Sequence, residues 1–415
     1  MRKKFFNITV LLFLLVQAMV YPQTTSFYSQ LGIGEPDYSY SARRSGMGDL
    51  GVALEDRDFI SVLNPALWTK INLTRIEFGS KYNGLMVKDV SKSSYFSEMY
   101  FSGFAFGFPV QRDYGVSAVL GIIPYSRILY ESVLKGSNAF QDDYSVTYKG
   151  EGGISKAFLG SSAVLPYGFG MGASLDYYFG NLVYSSEAVY TNTNSVSSFY
   201  ETRLKTSGIG ATFGLTTPDF SKVVFNSENL SDFKIGVAFS FISQLSTDST
   251  FSKKAQYILD TVSSGSTKMK IPIRINAGIG LRINKSYLVY LDYLHQDWSK
   301  YQLSSNYDDN LMSVNKISAG MEYRRNPSGM DFADLVIWRT GISYETTPYY
   351  LLGEHVKQYT LSGGVSLPIS RENTLDFSVQ YLIRGKNSAG LLKENMIKIG
   401  AGLSFGELWF LRYEK

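Results

Sequence analysis

The chain holds two histidines, His295 and His355, and no cysteine among 415 residues. A hydrolytic centre can be drawn from His295, Asp292 and Ser299, because a histidine base needs a carboxylate to orient it and a hydroxyl to activate. Its neighbours Tyr293 and Trp298 instead fit an aromatic strand end at a membrane interface. His355 stands beside Glu354 in a loop-like stretch. Gly168-Phe169-Gly170-Met171-Gly172 has the glycine density of a nucleotide loop, yet it alternates with apolar residues and no helix follows. The dinucleotide fingerprint requires strand, turn and helix in that order. Asp142-Asp143 and Asp308-Asp309 could hold a divalent cation, but they read as solvated loop tips. The lack of cysteine excludes disulfides, thiolate metal sites and a cysteine-anchored lipoprotein. The chain is therefore expected not to be an enzyme and to carry no cofactor or metal.

What must position these residues is set by periodicity. Ile271, Ile273, Ile275, Ala277, Ile279, Leu281 and Ile283 alternate with Pro272, Arg274, Asn276, Gly278, Gly280 and Arg282. Leu375 to Ile383 and Ile397 to Phe405 repeat the pattern. Strict alternation puts apolar side chains on one face of a strand and polar or small ones on the other. In an outer-membrane barrel the apolar face meets lipid and the polar face lines the lumen.

About fourteen such segments follow one another, near 72–84, 97–109, 113–130, 144–160, 167–181, 200–215, 233–246, 270–284, 286–298, 313–325, 335–346, 357–369, 373–385 and 394–410. Each is close to or longer than the roughly 9–11 residues a tilted strand needs to cross hydrocarbon. Connections alternate in length. Gln111-Arg112, Leu165-Pro166, Asn284-Lys285 and Ser370-Arg371-Glu372 are tight and follow even strands. The stretches 85–96, 131–143, 182–199, 247–269 and 299–312 follow odd strands, are long and polar, and are expected to be external loops. The stretch 216–232 breaks the rule: either the strand count slips there or the turn carries a small extra element. With 31 Tyr and 27 Phe, and with Trp298, Trp338 and Trp409 near strand ends, aromatic girdles are expected. The fold class is thus all-β: a transmembrane antiparallel β-barrel of about fourteen strands, spanning 72–415. Pro124, inside the long third strand, is the expected site of a wall kink, because proline removes a ladder donor.

The N-terminus reads as an export signal over residues 1–23. Met1-Arg2-Lys3-Lys4 precedes an apolar run from Phe5 to Val16, too short for the roughly 20 residues of a spanning helix. Cleavage is expected between residues 19 and 25. Removing Arg2, Lys3 and Lys4 lowers the formal charge from +4 to +1, so the basic balance is no argument for nucleic acid. Residues 24–71 lack a long alternating run but carry Leu50, Val52, Ile60, Val62, Leu63, Leu67 and Trp68, too apolar for a disordered tail. They are expected to pack inside the barrel as a hatch, or plug.

Gly46-Met47-Gly48-Asp49-Leu50-Gly51-Val52-Ala53-Leu54, the acidic Glu55-Asp56-Arg57-Asp58, and Val62-Leu63-Asn64-Pro65-Ala66-Leu67 resemble the N-terminal region of the FadL family of long-chain fatty-acid and hydrocarbon transporters. Ile271-Pro272 opening a strand, Asp292-Tyr293 and Asp297-Trp298-Ser299 are similar to a second family pattern. The last strand, from Lys393-Glu394-Asn395-Met396 to Trp409-Phe410, resembles a divergent branch. Trp409, Phe410 or Tyr413 must stand in for the terminal aromatic of a barrel-assembly signal.

The resemblance implies a fourteen-stranded barrel in the bacterial outer membrane, closed by a hatch whose motif is Gly46, Gly48, Asn64, Pro65 and Ala66. It also implies a hydrophobic ligand that passes from an outer groove to an inner pocket and leaves sideways through the wall. Arg43 and Arg44 are candidates for meeting a carboxylate headgroup; the alternative is a structural ion pair with the wall. Expected partners are outer-membrane lipid, the hydrophobic ligand, and the barrel-assembly machinery during biogenesis. Two functions compete: uptake of a hydrophobic small molecule such as a fatty acid, or a structural or secretion-associated accessory role without transport. An enclosed apolar pocket beside the hatch would favour the first, and a polar interior the second.

Overall fold

Alternating strands that are apolar on one side only have one way to satisfy every backbone group in lipid, which is to close on themselves. In the computed structural model they do so. The structure describes residues 24, 26–88, 92–137, 143–191, 197–255, 258–370, 372–387 and 391–409. The expected signal peptide, Asp142, Phe410 and Tyr413 lie outside them.

The strands are β1 (Thr74–Lys88), β2 (Ser93–Gln111), β3 (Val116–Ser137), β4 (Asp143–Val164), β5 (Gly170–Tyr190) and β6 (Ser198–Thr216). β7 is Leu230–Ile242 continued by Leu245–Ala255, and β8 is Ile258–Lys270 continued by Arg274–Ile283. Then come β9 (Tyr287–Asp297), β10 (Ser313–Arg324), β11 (Ile337–Leu351), β12 (Glu354–Pro368), β13 (Thr374–Arg384) and β14 (Lys393–Glu407). The two parts of β7 count as one strand because β6 runs beside both, with Gly210 opposite Ile242 and Ser207 opposite Ser246. In β8 the ladder is interrupted at Pro272, which has no N–H to give. β14 pairs antiparallel with β1 from Lys393 opposite Lys88 to Glu407 opposite Thr74, closing a barrel of 14 strands.

Two expectations about connections change. Within 247–269, residues 247–255 and 258–269 are not loop; they pair with each other as β7 and β8. The strands around 131–143 and 182–199 likewise run far past their expected ends. Outside the lipid, Ser, Thr and Lys occupy both faces, so the alternation fades although the backbone ladder continues. In 216–232, Ser221–Val224 forms one helical turn, the small extra element, and the strand count does not slip.

The packed core lies inside the lumen. Tyr40, Met47, Leu50, Val52, Ile60, Ala66 and Trp68 of the N-terminal segment are all buried there. Outward positions such as Leu175, Ile209, Phe213, Ile342 and Leu361 are exposed, as a lipid-facing surface requires.

Candidate functional site

The N-terminal segment threads the lumen from one mouth to the other. Ser26 caps the 3-10 turn Phe27–Gln30. Its hydroxyl donates to Glu394 at the start of β14 (2.8 Å) and accepts from Arg384 at the end of β13 (2.9 Å). Tyr28 stacks on Tyr349. Glu35 then accepts from Arg384 (2.8 Å) and from Lys398 (2.9 Å). Burial pushes the Glu35 carboxyl up, but the two cations outweigh it and hold it at about 2. Deeper in, Lys316 of β10 donates to Asp49 (3.0 Å), and Tyr38 donates to Glu345 (3.0 Å). Burial raises the Asp49 pKa as well, and the Lys316 ammonium more than reverses this.

Arg43 and Arg44 sit on the helical turn Ala42–Ser45, which Ser41 caps. Arg43 lies 2.6 Å from Asp56 and 3.5 Å from Glu322 of β10, which also accepts from Arg339 of β11 (3.0 Å). Arg44 donates to the Leu54 carbonyl (3.1 Å) and lies 4.6 Å over the Phe59 ring. Both guanidinium groups are buried and held by these contacts, with the Arg43 Nε left without a hydrogen-bond partner among the described residues.

The hatch motif is pressed onto the wall. Gly46 lies against Gly364 of β12, where a Cβ would come within 3.0 Å of its Cα. Gly48 has φ +86° and faces Ser318, whose hydroxyl donates to the Gly48 carbonyl (2.7 Å). Asn64 caps the 3-10 helix Pro65–Lys70: its side chain accepts from Ala66 N–H (3.0 Å) and donates to the Val52 carbonyl (2.7 Å). Pro65 fills the first turn, where a missing N–H costs nothing. This cap seats on β6, where a Cβ on Gly214 would lie 1.9 Å from the Asn64 amide oxygen.

Asp292 of β9 accepts the N–H of Gly51 (2.6 Å). It is therefore committed to the hatch, while His295 contacts Asn315 and Ser299 donates to Asp297. The drawn hydrolytic triad is not assembled. Sequence reasoning missed the latching role of Asp292, and that of Lys316 and of Glu322, which Arg339 holds in place. Their signal was a charged residue at an inward position of an otherwise membrane-spanning strand.

The wall is split between β2 and β3: among the described residues they pair only between Phe104–Ile122 and Gln111–Val116. Pro124 lies just past the last pair, and the register to β4 shifts there, between Pro124 and Ser126. The hatch strand Glu35–Pro36 takes the vacant edge, pairing antiparallel with Arg127 and Ser126. Arg127 donates to Glu98 of β2 (3.0 Å) and stacks 3.4 Å over the Tyr100 ring, clasping the seam with side chains.

One cavity beside the hatch, of about 40 Å³, is bordered by Glu35, Asp37, Asp49, Lys81, Lys316 and Arg384 among others. A larger recess of about 410 Å³ opens near Glu55, Lys70, Lys234 and Arg282 at the short-turn end. The grooves lined almost wholly by apolar residues, such as that at Met171, Ala173, Phe213 and Phe239, belong to the outer wall.

Known structures share this architecture at low identity. The CymD monoaromatic hydrocarbon channel aligns with a TM-score of 0.57 and 16% identity over 91% of this chain and 100% of its own. The Ralstonia pickettii toluene transporter TbuX gives 0.60 and 15% over 89% and 98%. A Pseudomonas aeruginosa FadL homologue gives 0.55 and 10% over 92% and 97%. These establish a FadL-type fold. No curated protein matches the sequence. A family model described as BamG matches residues 1–414, and the hatched fourteen-stranded barrel belongs to the BamG family.

Proposed function

We propose that this protein is a hatch-closed, FadL-type outer-membrane barrel that serves as an accessory subunit of barrel assembly and does not work as a pore. The carrying observation is the lumen beside the hatch. Buried ion pairs occupy it, and the cavity of about 40 Å³ among them has charged walls. An apolar ligand gains about 0.8 kcal/mol per buried CH₂ only where it meets apolar surface, and this space offers little. The family name supports an association with the barrel-assembly machinery. Export by residues 1–23 and insertion with the short turns toward the periplasm complete the reading.

A second reading, uptake of a hydrophobic small molecule, is favoured by a separate observation. Ile33, Leu50, Tyr178, Leu182, Ile242 and Leu294 form a buried apolar cluster where the hatch meets β5, β7 and β9. In that reading Arg43 or Arg44 meets the headgroup, and the seam at Pro124 is the way into lipid.

The test uses the full-length tagged protein. Co-purification with the central barrel of the assembly machinery, together with no toluene or fatty-acid flux in proteoliposomes, supports the accessory role. Flux without co-purification supports transport instead.

A further inference from the structure

The recess of about 410 Å³ at the short-turn end is bordered by four cations: Arg57 of the hatch, Lys70 at the end of the 3-10 helix Pro65–Lys70, Lys234 of β7 and Arg282 of β8. Two carboxylates, Glu55 and Asp232, face them, so four positive and two negative charges leave the lining at +2. Its floor is apolar, made by Ala53, Leu54 and Leu288. Lys234 is buried on the lumen side, while the next residue, Ile235, is 40% exposed on the lipid side. The recess is therefore reached from water at the barrel mouth and not from the outer wall.

The carboxylates present are already engaged. Glu55 is bonded to Lys234 and lies 3.5 Å from Lys70. Asp232 accepts from the Arg282 Nε (2.7 Å). Arg57 lies 3.5 Å from Asp58, which Arg75 already holds at 2.8 Å, and 3.8 Å from Glu372. The side chains of Arg57 and Lys70 stay half exposed. The cations thus stand in three groups, each with its own counter-charge, around one concave space. Low-dielectric walls focus the surplus positive field into such a space and draw anions to it.

We infer that this recess binds an acidic peptide segment offered from the periplasm. Its volume is at the small end of the range for ligand sites, about 300–1,000 Å³, so it takes a few side chains and not a globular surface. Cations in separate groups suit carboxylates spaced along a chain, whereas one phosphate is best held by donors that converge on it. The apolar floor adds room for one hydrophobic side chain beside them. Guanidinium and ammonium groups bond carboxylates about twice as strongly as neutral groups do. Arg57 and Lys70 hold their present partners at 3.5 Å or more in an exposed setting, so little is lost when they turn to a ligand. The inference rests on the proposed insertion, with short turns in the periplasm, and holds whether the barrel assists assembly or transports.

The experiment titrates the full-length protein, in a non-ionic detergent, against a peptide of alternating aspartate and leucine that carries a neutral dye, and reads anisotropy. A peptide of alternating asparagine and leucine is the control. The acidic peptide should bind at least tenfold more tightly than the neutral one, and high salt should release it. Arg57→Gln with Lys70→Gln should weaken binding at least tenfold while the barrel keeps its heat-modifiable mobility on gels. Lys149→Gln with Arg203→Gln, exposed cations of β4 and β6 outside the recess, should change nothing. Equal binding of the two peptides overturns the inference without any variant. So do equal losses in both double variants, no loss in either, or displacement by inorganic phosphate or a short-chain anionic phospholipid as readily as by unlabelled peptide. Orientation is read separately at Glu228→Cys, exposed in the short-turn connection. Its modification by a membrane-impermeant maleimide in intact cells overturns the insertion and the periplasmic source, while the binding result stands. Failure to co-purify with the central assembly barrel, with peptide binding retained, overturns the accessory reading alone.

Discussion

The carboxylate of Asp292, on the membrane-spanning strand β9, accepts the backbone N–H of Gly51 in the hatch at 2.6 Å. The Val52 N–H points at the same group from 3.4 Å. A wall side chain thus replaces the secondary structure that this irregular segment lacks. Asp292→Ala leaves a buried amide without an acceptor, at a cost of about 1–3 kcal/mol. Trypsin should then cut at Arg57 several-fold faster while the barrel stays resistant. Unchanged cleavage would show that the latch contributes nothing to holding the hatch.

The Asn64 cap and Gly214 form a second holding point. Asn64→Ala removes the cap, worth about 1 kcal/mol, and orphans the Val52 carbonyl. Gly214→Val drives a side chain into the space of the Asn64 amide. Both variants should loosen the hatch by hydrogen exchange over residues 60–70, Gly214→Val more strongly. Equal protection in all three proteins would refute the seating argument.

Deleting residues 24–60 removes the segment that fills the lumen. The remaining strands retain their own ladders, so the barrel should insert and conduct ions in planar bilayers, and the intact protein should be silent there. A deletion variant as silent as the intact chain would rule out a hatch role.

Hatch docking should weaken in acid. Glu35 titrates near 2 when docked against an ordinary value of 4.5. A lowered pKa stabilises the docked state fully above the ordinary value, and that contribution is lost as pH falls from 4.5 toward 2. Asp49 acts in the same direction. Because the chain has no cysteine, Gln30→Cys gives a single spin-label site. Its mobility should rise across that window, and the rise should shrink in Glu35→Gln. A flat profile would exclude the ion pair as an anchor.

At the split seam, Arg127→Ala removes both the Glu98 pair and the Tyr100 stack. Oxygen accessibility of a label at Met99 should increase, whereas Arg127→Lys should fall between. Identical accessibility in all variants would mean that the hatch strand Glu35–Pro36 closes the seam unaided.

Alternation along the chain was enough to reveal the barrel, because successive side chains of a strand must point to opposite faces and only lipid rewards an apolar outer face. Thus Leu375 to Ile383 and Ile397 to Phe405 declare themselves from spacing alone, and the tight turns at Gln111-Arg112 and Asn284-Lys285 order the strands. The hatch segment was legible as apolar and glycine-rich, and Asn64-Pro65-Ala66 as a motif. The tertiary structure decided the rest. Residues 247–255 and 258–269 carry no alternation, since water bathes both sides there, and only pairing, of 247–255 with β6 and of 258–269 with 245–255, makes them strand. Asp292, Lys316 and Glu322 became hatch anchors through contacts more than 200 residues apart in sequence, from Gly51 to Asp292 and from Asp49 to Lys316. The charged character of the space beside the hatch, on which the functional reading turns, arises where Glu35, Lys398 and Arg384 converge, and no local pattern encodes that convergence.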